Sequence, residues 1–87
     1  MMVTKKILAE MLMKYINRDI PLSGLVDWAE NMIMTADFDA SGFELIRDIV
    51  GRLGLADVRE FGLSWDDCYD YLRELGYEVK MELLETA

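Results

Sequence analysis

Apolar residues recur along the chain at the three-and-four spacing of amphipathic helices, with short polar breaks between the stripes. Ile7, Leu8, Met11, Leu12, Tyr15 and Ile16 form the first stripe, which predicts a helix from about Thr4 to Asn17. Glu10 and Lys14 stand four apart on its other face, where they can pair. Pro21 closes it, because a proline pushes the residue before it, here Ile20, out of helical geometry. Ser23 is the expected N-cap of a second helix with Leu25, Val26, Trp28, Ala29, Met32 and Ile33 inward. Asp27 and Glu30 fall in its early turns, where the helix dipole favours acids. The polar break Asp37-Phe38-Asp39-Ala40-Ser41-Gly42 follows. Ser41 and Glu44 then read as a Ser-x-x-Glu capping box for a third helix, with Phe43, Ile46, Ile49, Val50 and Leu53 inward and Gly54 at its end. Glu44 with Arg47, and Asp48 with Arg52, are its expected surface pairs.

From Leu55 to Phe61 the pattern predicts a short helical turn, with Leu55, Val58 and Phe61 inward and Gly62 closing it. Ser64 caps a fourth helix, with Asp67 at the third position. Trp65, Cys68, Tyr69, Leu72 and Leu75 make its core face, while Asp66, Asp70 and Glu74 point outward and Asp67 lies near the margin. Tyr71 is expected toward the polar side, and Gly76 stops the helix. Tyr77 to Leu83 alternates apolar and charged residues, the pattern of a half-buried strand. The expected fold is therefore mainly α: a bundle of four main helices with a short helical turn and one C-terminal β-strand, in a single domain over 1–87. The backbone of a lone strand must be met by another extended piece of the chain, by a symmetry mate or by a partner's strand.

Composition narrows the partners. Seventeen acids against nine bases give a formal charge of −8. A nucleic-acid backbone is repelled, because such binding relies on Lys and Arg displacing counterions. Anionic membrane surfaces are disfavoured for the same reason, and no apolar run reaches the roughly 18 residues that span a bilayer. The charge suits a basic protein surface or a metal ion; equally, it keeps a small protein that is 53% hydrophobic in solution. A single cysteine, Cys68, allows no intrachain disulfide. Lys5 and Lys6 precede an apolar stretch, but Glu10 and Lys14 interrupt it, so a cytoplasmic protein is expected.

The chain has no histidine, which removes Ser-His and Cys-His nucleophilic pairs and most zinc and haem sites. Cys68 lies on an apolar face and reads as a small buried hydrophobe. Paired carboxylates remain, but four short helices offer little depth for a cleft, so no enzyme activity is expected. Asp37-Phe38-Asp39-Ala40-Ser41-Gly42 matches the first half of an EF-hand loop between two helices. Asp37, Asp39, Ser41 and Asp48 are its candidate ligands for a calcium ion (Ca2+), the only cofactor the sequence suggests. The loop departs from that pattern at Glu44 and at Asp48, and the capping box explains the same residues without a metal. Seven methionines are many, and Met13 and Met34 fall off the main stripes. Flexible thioethers suit an adaptable binding surface, or fill gaps in a small core.

Leu72-Arg73-Glu74-Leu75-Gly76-Tyr77 loosely resembles the last helix and wing of a winged-helix protein. A recognition helix presents Arg, Lys, Asn or Gln to base edges, whereas this one presents acids, which argues against reading of DNA and leaves open its mimicry by that acidic face. The run from Tyr15 to Ser23, with Leu25-Val26-Asp27-Trp28-Ala29-Glu30 and Gly62-Leu63-Ser64-Trp65-Asp66-Asp67-Cys68, resembles small prokaryotic proteins of unknown function. In size, acidity and helicity the chain is similar in type to bacterial immunity proteins and antitoxins, which implies a basic protein partner. The resulting expectation is a protein-binding module with Asp66, Asp67, Asp70 and Glu74 as its electrostatic surface and Tyr71 as its aromatic anchor. The alternatives are a calcium-binding module and a structural homodimer joined through the C-terminal strand.

Overall fold

The structure is a computed structural model that describes residues 1–59, 62–80, 83 and 85. Six elements follow one another: β1 (Met2–Val3), α1 (Lys5–Ile16), α2 (Leu22–Thr35), β2 (Asp37–Phe38), α3 (Phe43–Leu53) and α4 (Trp65–Glu74).

Thr4 opens α1, its Oγ1 accepting the Ile7 N–H at 3.1 Å. The helix buries Leu8, Ala9 and Leu12. It ends before Pro21 acts. Arg18 adopts φ 64, its N–H reaching the Tyr15 carbonyl at 3.0 Å, and the Asp19 N–H reaches the Lys14 carbonyl at 2.8 Å. These two bonds are the Schellman termination, made here without the usual glycine. Helix α2 starts at Leu22, with extended Pro21 as N-cap; Ser23 lies inside the first turn and caps nothing. The fixed φ of Pro21 already suits entry into a helix.

Helix α3 departs from its expected start. Asp39 Oδ1 accepts the Ser41 N–H at 3.1 Å, and Gly42, left-handed at φ 88, becomes the N-cap. Glu44 is then the second helical residue instead of the third, one position out of register for the Ser41 capping box. The expected turn after α3 is made of i→i−3 bonds, Val58 N–H to the Leu55 carbonyl at 2.9 Å among them. It buries Ala56 and leaves Leu55 and Val58 exposed, because the helical period stops at Gly54. Phe61 lies outside the described residues.

The strand prediction is corrected. Residues 77–80 and 83 form no strand, and Met81 and Glu82 lie outside the described residues. Val79 alone of the described tail packs against the core. The sheet lies at the other end of the chain, where β1 pairs in parallel with β2, Met2 opposite Asp37 and Val3 opposite Phe38. Alternation over 77–83 marks a segment with one side inward, but a ladder also needs a neighbouring backbone.

The core draws on every helix and on β1: Val3, Leu8, Leu12, Leu25, Ile46, Leu53 and Leu72 are each 1% exposed or less. Burial of one such side chain is worth about 1.5–3 kcal/mol. Helix α1 touches α2, α3 and α4, and α2 packs most broadly on α3. Among the described residues, no helix is long and apolar enough to cross a membrane.

Candidate functional site

Helix α4 carries the densest run of acids, and its N-terminus is firmly built. Ser64 Oγ accepts the Asp67 N–H at 3.1 Å, and the Ser64 N–H donates to Asp67 Oδ2 at 3.0 Å. This is the reciprocal capping box, with Asp in place of the usual Glu. The Ser64 backbone and side-chain hydrogen bonds hold the Asp67 carboxyl below its ordinary pKa. Asp67 is thus committed to the cap. Asp66, Asp70 and Glu74 remain on the outer face, all exposed. Arg73 reaches Asp70 at 3.4 Å in an exposed pair, a contact worth little in water.

Two of the three aromatics of this helix, Trp65 and Tyr71, exchange the positions expected for them. Tyr71 is 8% exposed and belongs to the core cluster. The Arg52 guanidinium sits 5.7 Å from its ring centroid, and burial pushes its phenol above the ordinary range. Trp65, placed inward by the periodicity, is 45% exposed. Its ring stacks on Tyr15 of α1 at 5.2 Å between centroids, 27° from parallel. The physical reason is position: Trp65 is the first residue of α4, at the edge of the packed helix, where it stacks on Tyr15. The helical wheel therefore missed the exposed Trp65 at the head of the acidic face.

Beside this face, Tyr69, Arg73, Gly76, Tyr77, Glu78 and Val79 line an open groove of about 650 Å³. A second, of about 620 Å³, runs between α1 and the tail and mixes Lys6, Lys14 and Lys80 with Glu10, Asp19 and Glu78. Both hold charges of both signs.

The residues singled out for calcium are not brought together. The Asp37 N–H donates to the Met1 carbonyl at 3.0 Å and the Asp39 N–H to the Val3 carbonyl at 2.9 Å, which holds this segment extended alongside β1. Asp39 spends a carboxylate oxygen on Ser41, and Asp48, on α3, pairs with Arg47 at 3.2 Å. The pairs expected of Arg47 with Glu44 and of Asp48 with Arg52 give way to this one among the described residues. No group of three or more metal-ligating side chains is gathered among the described residues.

Cys68 is fully buried, and burial together with the neighbouring Asp67 charge pushes its thiol up to about 11. A thiol so placed stays protonated at neutral pH and is a poor nucleophile.

No family model matches the chain, and no curated protein or solved structure matches it either.

Proposed function

We propose that this chain is a non-catalytic docking protein that binds a basic protein partner through the outer face of α4, in the manner of an immunity protein or antitoxin. The observation that carries the reading is an exposed tryptophan at the head of an acidic helix face. Trp65 is 45% exposed although it stacks on Tyr15, and Asp66, Asp70 and Glu74 run away from it along α4. Tryptophan is favoured at binding hot spots. The surrounding carboxylates steer a cationic partner and repel nucleic acid, acting on the rate of encounter more than on final affinity. Tyr71 has no part in this surface, since it is buried.

The test is affinity capture from native lysate with the whole chain and with an Asp70→Lys/Glu74→Lys variant. Both positions are exposed, so the charge reversal leaves the core intact. The expected outcome is one basic protein, retained at low salt, released as salt rises and lost with the variant. Capture of nucleic acid, or equal capture by both proteins, sinks the reading.

A further inference from the structure

A second surface carries the same kind of argument with different chemistry. Met34 is 82% exposed and Ile33 51%, both on the C-terminal half of α2. Ile33 is held in place along the neighbouring helix end: a Cβ on Gly54 would lie 3.3 Å from Ile33 Cδ1 and 3.7 Å from Glu30 Cγ. Met2, 53% exposed, is paired with Asp37 just past the end of α2. The charged residues of the same stretch of chain are all acids. Glu30 and Asp27 lie about one and two turns back along α2 toward its start, Asp37 follows it, and no Lys or Arg occurs between Arg18 and Arg47.

We infer that this face of α2 docks a cationic amphipathic helix of a partner protein. Exposed Ile and Met beside one another receive an apolar stripe, and thioethers adjust their shape to it at low cost. The carboxylates of Asp27, Glu30 and Asp37 meet the Lys or Arg flanks that such a helix carries beside its stripe. The same charges argue against a second copy of this chain, because a two-fold contact here sets one acidic face against another. The surface shares with α4 only the cationic character of the partner. It lies on a different helix, and its anchors are aliphatic.

The test uses the full chain with labelled methionine methyls and backbone amides. The probe is a Leu/Lys peptide of about 18 residues, long enough to be helical, in amphipathic order; the control has the same composition scrambled. Saturable shifts are expected at the Met34 methyl and the Ile33 amide, with the scrambled peptide much weaker. Met34→Lys is expected to weaken binding about tenfold, as loss of a hot-spot contact does, while Met34→Leu binds like the parent. Asp70→Lys/Glu74→Lys is expected to leave this binding unchanged, which separates its failure from failure of the α4 reading. Melting curves confirm that each variant is folded. The inference is overturned by an absence of binding, by equal binding of the scrambled peptide, by indifference to Met34→Lys, or by shifts confined to α4.

Discussion

Arg18 sits in the left-handed region at φ 64, at the position of the α1 terminus that glycine fills after α4, where Gly76 has φ 96. Both termini make the same pair of bonds: Gly76 N–H reaches the Arg73 carbonyl at 3.0 Å and Tyr77 N–H the Leu72 carbonyl at 2.9 Å. Left-handed geometry costs a residue with a Cβ about 1–2 kcal/mol, partly offset by the greater freedom of glycine when unfolded. Arg18→Gly is therefore expected to stabilise by about 0.5–1 kcal/mol in urea unfolding, and Gly76→Ala to destabilise by a similar amount. A loss of stability in Arg18→Gly would mean that its side chain makes an unrecognised contact. Cys68 supplies a pH signature. Its thiol ionises near 9.0 when free and at about 11 in the fold, so the native state holds its proton longer. The sign follows: stability is complete below about pH 9 and falls between about 9 and 11 as the unfolded thiol ionises first. Cys68→Ala is expected to flatten that limb of the pH–stability curve. Alkylation of the native thiol at pH 8 should proceed only as fast as the protein unfolds.

At the scale of elements, the caps decide where helices begin, and they vary in how far they can be read. Ser64 and Asp67 form their box as the spacing predicts, because every atom involved lies within four residues. Ser64→Ala is expected to cost about 1 kcal/mol. The Asp67 carboxyl is held below its free value of 3.8, so its contribution is present above that pH and is lost as acid takes the pH down through the lowered value. Asp67→Asn is expected to remove that acid dependence in a melting series from pH 5 to about pH 2. The box at Ser41 and Glu44 has the same spacing but does not form. There, Asp39 has taken the Ser41 N–H, and β1 has drawn residues 37–39 into extended geometry. A local signature survives only where no other acceptor, even one two residues away, competes for its donors.

For the molecule as a whole, a two-residue strand ties the chain start to its middle. Val3 is 0% exposed and joins the core from a two-residue strand, so β1 anchors the chain start against the α2–α3 connection. Val3→Ala removes two buried methylene equivalents and is expected to cost about 2 kcal/mol, measured by denaturant unfolding. A change within about 0.5 kcal/mol, the usual range of surface substitutions, would show that β1 is peripheral. Net charge acts on the whole body as well. At −8 the native state repels itself, so the melting temperature is expected to rise by a few degrees between low salt and about 0.15 M sodium chloride, where the screening length drops to roughly 8 Å. A melting temperature that falls with salt would indicate that ion pairs outweigh the repulsion.

Most of the stripes on α1, α2, α3 and α4 were legible in the residue order, as were the ends near Gly54 and Gly76, because helix period is a property of neighbouring residues; Ile33 and Phe43, expected inward, are 51% and 44% exposed, and Gly54 ends α3 in right-handed geometry at φ −65. So was the acidity of the face formed by Asp66, Asp70 and Glu74. The β1–β2 pairing was not, since two residues carry no period and their partner lies more than thirty positions away. The exchange of Trp65 and Tyr71 between surface and core was equally hidden. A helical wheel fixes the direction of a side chain, whereas burial depends on what lies beyond it: Tyr15 of α1 against one side of Trp65, and the packed core with Arg52 of α3 around Tyr71. Direction is local chemistry; cover is supplied by chain distant in sequence.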